Sequence, residues 1–381
     1  MKKRKIKESN GNTFYIKGKG IPMGCKFCLE GAKAVLFLNG FCQKPNHCSW
    51  YCPISKERKD KSTTFIDEIQ VLSKEDIFDE IENINAKGIS ITGGEPLSKS
   101  NLEKTLTYIK LLKSEKGKNF HIHLYTNGIN FNNQIAEQLA EAGLDEIRFH
   151  PPKNKLNNIR YAINKGMSVG IEVPVIPTKE YIDYLKYVIS FLEEIGADFI
   201  NLNEFEFCFP NSQSLKEKGF ELEEGSIASV KNSKKFAMEL LDDINKKTSI
   251  KIHFCTIRAK DYYQLKNRYL RRAKSVHYPY EVITHDGLLL FGQIEANMQD
   301  LSSLKLKLLS NFKIPSKMIS FELDKIKLHP EIILKDEFID FLEEHQLSGF
   351  IIEMIPFRGK YAQITEKTPL RIFKQEIGHF S

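Results

Sequence analysis

FHIHLYTNG, residues 120–128, alternates strictly. His121, His123 and Tyr125 point one way and Ile122 and Leu124 the other, as successive side chains of a strand must. Parallel strands covered on both faces read instead as nearly continuous apolar runs. One polar face therefore separates an open sheet, covered by helices on both sides, from a curved sheet whose inner face encloses something polar. The alternation recurs outward in both directions: Ser90 and Thr92 share a face in the run 87–92, and Glu146, Arg148 and His150 do so in 145–150. Glu172 in 168–174 and the pair Asn201 and Asn203 in 198–204 continue it. The opposite faces carry Ile89, Ile91, Ile147, Phe149, Ile171, Val173, Ile200 and Leu202, which suits packing under helices.

A further run at 34–39 precedes these, and helix-length amphipathic segments lie between and after them, at 74–86, 101–115, 133–143, 154–165, 179–196 and 230–246. Six strand-helix units in succession predict a parallel sheet with right-handed crossovers, and the polar stripe bends it into an α/β fold of the partial (β/α)6, TIM-like kind. Unpartnered burial of the stripe would cost about 1–3 kcal/mol per group. Its members must bond one another, hold water or meet a polar ligand. Taken one at a time the histidines suit an internal network, whereas the stripe as a whole predicts a ligand cavity lined by His121, His123, Tyr125, Arg148, His150, Glu172 and Asn203.

The 381 residues and net charge of +7 fit a globular protein with a lysine-rich surface. No apolar run reaches the roughly 18 residues of a membrane helix, and the basic start has no apolar segment behind it, so cytoplasmic placement without a membrane partner is expected. QLKNRYLRRAKSVHYPY (264–280) gathers Lys266, Arg268, Arg271, Arg272 and Lys274 beside Tyr269 and Tyr280, an anion or RNA contact or an ordinary basic helix. Beyond it, IKIHFC (250–255) already reads as one more strand, YEVITHDGLLLFGQIE (280–295) as a hairpin turning at His285, Asp286 and Gly287, and MISFELDKIKLH, LKDEFIDFLEEHQ and GFIIEMIPF as strand, helix and strand. The expected domains are an N-terminal extension at 1–33, the barrel with its basic helix at 34–277, and a small α+β domain at 278–381.

Five of the seven cysteines fall within residues 25–52. Clustered thiols in a reducing compartment point to metal rather than disulfides. GFCQKPNHCSWYCPIS (40–55) places Cys42, Cys48 and Cys52 with five and then three intervening residues, in a loop after the first barrel strand, where active sites of such barrels form. Zinc with His47 as fourth ligand is one reading; a four-iron cluster with one iron left open is the other. After the second strand come Gly93, Gly94, Glu95 and Pro96. The glycines let backbone approach a ligand closely, and Glu95 can accept hydrogen bonds from an ammonium group. The remaining Cys25 and Cys28 (two residues between), Cys208 and Cys255 suggest a second iron–sulfur group, a zinc site or free thiols, with Cys208 the weakest member.

Three cysteines after one strand and Gly-Gly-Glu after the next resemble the radical S-adenosylmethionine (SAM) superfamily over about residues 20–260. The runs GCKFCLEGAKAVLF, HIHLYTNG, LDEIRFHPP, NLNEFEF and QLKNRYLRRA are similar to a largely archaeal group related to pyruvate formate-lyase activating enzyme. The resemblance implies a [4Fe-4S] cluster on Cys42, Cys48 and Cys52, with SAM on its open iron. Gly93, Gly94, Glu95 and Pro96 would hold the amino group of SAM, Tyr51 would lie near its adenine, and Thr126 and Asn127 would neighbour the ligand. It further implies reductive cleavage of SAM to a 5'-deoxyadenosyl radical that takes hydrogen from a polar small molecule, a peptide or RNA, with ferredoxin or flavodoxin as electron source. On this reading Arg148 suits a carboxylate or phosphate, and the histidines or Tyr125 relay a proton. The spacing departs from the family's usual three and two residues. A metal-binding protein without catalysis is the alternative.

Overall fold

The computed structural model describes residues 5–378 except 10, 45, 246, 247, 296, 297 and 323, and of 298–303 and 378 the backbone alone. The chain divides into two compact units, Met1–Leu265 and Lys266–Ser381. The break falls at the first residue of the basic helix, not after the helix at 277 as the sequence suggested.

In the first unit the strands are β1 (Ile6–Glu8), β2 (Phe14–Ile16), β3 (Lys33–Phe37), β4 (Phe65–Ile66), β5 (Ile69–Gln70), β6 (Gly88–Thr92), β7 (His121–Thr126), β8 (Glu146–Phe149), β9 (Ser168–Val175), β10 (Phe199–Glu204) and β11 (Lys251–Cys255). One sheet runs β1-β2-β11-β10-β9-β8-β7-β6-β3-β4-β5. From β3 through β11 the neighbours are parallel and follow chain order. The sheet is a partial barrel that does not close: β4 and β5 add a hairpin to one margin, and β2 pairs antiparallel with β11 at the other. The N-terminal segment is thus part of the barrel sheet rather than a separate extension.

Helices α1 (Met23–Leu29), α2 (Lys74–Asn83), α3 (Leu102–Lys116), α4 (Asn133–Ala142), α5 (Lys179–Ile195), α6 (Ser212–Glu217) and α7 (Ser233–Ile244) complete the unit. The apolar strand faces meet them in one core, where Ile89, Ile91, Ile122, Leu124, Ile147, Phe149, Ile200 and Leu202 pack with Ile77, Ile109, Leu139 and Leu185. Local signals set the ends of α4: the side chain of Asn132 accepts a hydrogen bond from Ile135 N, and Gly143 terminates the helix at φ 95°. The crossover at 154–165 is a 3₁₀ run, Lys153–Ala162, instead of an α-helix. Asn154, Asn157 and Asn158 are weak helix formers, and Asn158 donates instead to the carbonyl of Gly128 at 2.9 Å.

The second unit holds helix α8 (Leu265–Val276), all but its first residue, and a sheet of β12 (Val282–Ile283), β13 (Leu289–Glu295), β14 (Ile319–Phe321), β15 (Lys325–Leu328), β16 (Ser348–Met354) and β17 (Ile364–Pro369), with α9 (Met298–Phe312), α10 (Pro330–Ile333), α11 (Asp336–Glu344) and α12 (Leu370–Gly378). MISFELDKIKLH forms two strands, not one, because Glu322 N turns back to Lys325 O and Ile319 then faces Leu328. The basic stripe on α8 is partly occupied within its own unit. Arg272 is buried and donates to Pro356 O at 2.7 Å, and Lys266 lies 3.4 Å from Asp286. No described helix is long and apolar enough to cross a membrane.

Candidate active site

Past the ends of β3 and β6 the two chains stay zipped. Leu38 N donates to Thr92 O, Gly94 N to Asn39 O and Glu95 N to Phe41 O, each at 2.8 Å. The loop carrying Cys42 and the loop carrying Glu95 are therefore one continuous ladder. A Cβ on Gly94 would lie 1.9 Å from Phe41 O, a backbone atom that cannot swing away. The glycine thus serves contact between the two loops, whereas the sequence suggested contact with a ligand. Gly94→Ala is expected to cost about 1–3 kcal/mol through overpacking; denaturant unfolding measures it, and an unchanged midpoint would refute the steric account.

Glu95 is 2% exposed. Its Oε1 accepts from Thr126 Oγ1 at 2.6 Å and Leu97 N at 2.9 Å, and its Oε2 from Asn127 N at 2.7 Å. Burial pushes its pKa up against these three bonds. A carboxylate has room for about four such donors, so Oε2 keeps acceptor capacity toward the cavity. That cavity measures about 610 Å³, and its lining includes Cys42, Cys48, Cys52, Tyr51, the run Gly93–Pro96, Thr126 and Asn127, together with Tyr125, His150, Glu172 and Asn203.

The three thiols sense one another. Burial, then Glu95 and Cys52, push Cys42 to about 11; burial, then Cys52 and Cys42, push Cys48 to about 12. The loop is held at its far end by Trp50, stacked on Phe220 with ring centroids 6.0 Å apart, and by Asn211, whose Nδ2 donates to Tyr51 O at 3.2 Å. Tyr51 Oη lies 2.8 Å from His150 Nε2. Burial holds His150 near 4 and raises Tyr51, so the imidazole is neutral and the phenol keeps its proton. His47 faces a separate cavity of about 260 Å³. Among the described residues no group of three or more His, Cys, Asp or Glu stands arranged to hold a metal ion.

Three of the expected cavity residues lie elsewhere. His121, His123 and Arg148 form a buried network behind the cavity. Arg148 is 2% exposed, and its guanidinium donates to Glu146 Oε1 at 2.6 Å, Glu172 Oε2 at 2.5 Å and Cys25 Sγ at 3.4 Å. It is committed to protein carboxylates and is not among the residues that line the cavity. His121 lies between Lys33, at 2.7 Å, and Glu146, at 3.6 Å, and His123 is fully buried. The helix α1 presses on this network so closely that a Cβ on Gly24 would come 2.3 Å from His123 Nδ1.

A profile of the Radical SAM superfamily matches residues 15–151. A Methanocaldococcus jannaschii protein, provisionally named a glycyl-radical enzyme activating enzyme, is 36% identical over 360 residues, covering 88% of this chain and 90% of that one. The chain belongs to the radical SAM superfamily. A GTP 3',8-cyclase of Corynebacterium glutamicum is 26% identical over 30% of this chain and 37% of its own length. Among solved structures, Streptococcus suis SuiB bound to S-adenosylmethionine aligns at 13% identity and TM-score 0.39, over 59% of this chain and 50% of that one. The chain thus spans about half the length of that structure.

Membership in the radical SAM superfamily makes this an enzyme and implies SAM and a [4Fe-4S] cluster as its cofactors. The donor set fits both. Three soft thiols share one cavity with a buried carboxylate that has acceptor capacity to spare. The four other cysteines do not come together. Cys25 and Cys28 interact on α1, and Cys28 with Cys255 at the end of β11, while Cys208 interacts with Cys52 of the loop after β3. Sequence reasoning missed Glu204, Glu206, Asn211 and Lys260, which also line the cavity of this radical SAM enzyme. Lys260 lies 3.2 Å from Glu206. Only the alternation of Glu204 and Glu206 with phenylalanines after β10 could have flagged them.

Proposed function

We propose that the enzyme reductively cleaves SAM on a [4Fe-4S] cluster bound by Cys42, Cys48 and Cys52, and that the resulting 5'-deoxyadenosyl radical takes hydrogen from a polar substrate. The supporting observation is a single one: the three thiols and the Gly93–Pro96 run line the same cavity. Bound there, the cluster supplies the electron that opens the carbon–sulfur bond of SAM. The chain's own groups orient and shield. Glu95, fixed by Thr126 and Asn127, accepts from the ammonium of SAM, and Tyr51, kept in place by His150, flanks the adenosyl side. Glu172, Asn203 and Tyr125 face the substrate, with Arg148 positioning Glu172 from behind.

A ferredoxin or flavodoxin would supply the electron. The name of the archaeal relative suggests one substrate of the peptide class, a glycine in a partner protein. An RNA substrate has less support, since Arg272 of the basic helix is buried. A second iron–sulfur group would draw on Cys25, Cys28 and Cys255, and more than about four irons per chain after reconstitution would be its signature.

The test is anaerobic: reconstitute with iron and sulfide, add SAM and a strong reductant, and quantify 5'-deoxyadenosine. Product above a protein-free control supports the reading; a protein that binds zinc and no cluster overturns it. A pH dependence follows from Glu95. Its carboxyl must be ionised to hold the ammonium, and burial raises its pKa above the ordinary value of about 4.3. SAM affinity is therefore expected to fall on acidification before pH reaches that value, and anaerobic SAM titrations from pH 8 downward check it. Constant affinity down to the ordinary value would speak against Glu95 as the acceptor.

A further inference from the structure

The side chain of Asn101 stands at the N-terminus of α3, where an asparagine ordinarily caps its own helix. Here it makes no capping bond. Its Nδ2 donates to Glu95 O at 2.9 Å and to Asn39 Oδ1 at 3.1 Å, and its Oδ1 accepts from Asn39 Nδ2 at 2.8 Å. Asn39 in turn accepts from Phe41 N at its Oδ1, at 3.1 Å, and its own carbonyl accepts from Gly94 N. The two amides are 5% and 3% exposed, so water does not compete for them. Phe41 N can only donate, which fixes the orientation of the Asn39 amide, and that of Asn101 follows from it.

The pair touches both functional loops. Asn39 stands three residues before Cys42, and Asn101 grips the backbone of Glu95. Thr105, one turn further along α3, adds a second hold by donating to Pro96 O at 2.8 Å. A helix that gives up its own cap to grip a loop marks the grip as the purpose of the residue.

We propose that Asn39 and Asn101 are positioning residues that set the spacing between the first cluster thiol, Cys42, and the SAM-holding carboxylate, Glu95, with α3 as the rigid support. This rests on the reading of the cavity given under Proposed function. A cluster and the SAM bound to it span these two loops, so a shift of one loop against the other weakens SAM binding even when both loops remain folded.

The test uses the full-length enzyme after iron and sulfide reconstitution. Asn101→Asp keeps the shape and removes both donors; Asn101→Ala removes the side chain. Leu139→Ala, on the buried face of α4, is the control for plain destabilisation. Iron content, thermal stability and SAM affinity, from the SAM-induced change in the reduced-cluster spectrum, are read for each. Both Asn101 variants are expected to bind SAM at least tenfold more weakly, while Leu139→Ala melts earlier yet binds SAM as the parent does. Loss of iron from a folded Asn101→Asp protein supports the clamp equally, as the same displacement felt at Cys42. SAM affinity and iron content within twofold of the parent in the Asn101 variants overturn it, and if the alanine variant does not fold, the aspartate variant decides alone. A parent that binds no SAM sinks the reading of the cavity and this inference with it, an outcome distinct from failure of the clamp alone.

Discussion

Cys48→Ala, reconstituted anaerobically, loses the visible absorption of its [4Fe-4S] cluster, and 5'-deoxyadenosine formation drops by more than about a hundredfold. Loss of an outer-shell partner to a metal costs 10–100-fold, and a ligand matters more. Cys48 carries the expectation because it is the middle thiol of the three and interacts with both others. Folding should be nearly untouched, since Cys48 is only half-buried in a loop and substitutions of that kind typically cost about 1 kcal/mol or less. The measurement is iron content and product yield side by side with a circular dichroism melt. A variant that keeps cluster and turnover would remove Cys48 from the ligand set, and one that loses its fold would show a structural thiol instead.

Arg148→Ala is the second large effect, and it falls on stability. Removing the guanidinium strands Glu146, 1% exposed, and Glu172 without their cation. Breaking a buried ion pair from one side costs about 3–5 kcal/mol. The pH dependence has a definite sign. Burial raises the Glu146 carboxyl, but Arg148, with His121 and Lys33, outweighs it and holds the pKa well below the ordinary range. In the parent this stabilisation is fully present above the unfolded pKa of about 4.3 and is lost as pH falls from there toward the folded value. Without Arg148 burial dominates, and a carboxyl raised on folding favours the native state only when protonated. The gap between parent and variant is therefore largest near neutrality and narrows toward pH 4. Denaturant unfolding at pH 7 and pH 5 measures it. A constant gap would mean that Glu146 and Glu172 find other partners, and recovery in an Arg148→Met, Glu146→Gln, Glu172→Gln triple variant would confirm the electrostatic origin.

The strands of the barrel were legible because period-two alternation is a local property, and the ranges around His121, Arg148 and Asn203 differ from those observed only at their ends. The gathering of Cys42 through Cys52 with Glu95 was legible too, since strand ends of a parallel barrel share one rim. What alternation does not encode is depth. His123 and Tyr125 share a face, yet Tyr125 lines the cavity and His123 is buried below it, because α1 fills the lower part of the interior. The sequence carried no sign of that filling beyond Gly24. Its apolar neighbours mark Cys208 as the weakest of the four remaining cysteines, but a cysteine count ignores which loop faces which and cannot say that it neighbours Cys52. Short strands such as Ile6–Glu8 and Phe14–Ile16 have too few residues to show a period; the first pairs with the second, and the second owes its place to the remote β11.

That remote pairing constrains how the chain is made. Tyr15 precedes His253 by most of the length of the unit and pairs with it, so it finds its place only when His253 has been synthesised, whereas each parallel strand from β3 onward can add to the one before it. The segment that carries Cys25 and Cys28 packs on β3, β6 and β7, so part of its seat exists long before β11 is made. Contacts of such long sequence separation form late, so the margin where β2 meets β11 is expected to be the last part of this sheet to pair, after the strands that carry the rim thiols Cys42, Cys48 and Cys52 are in place.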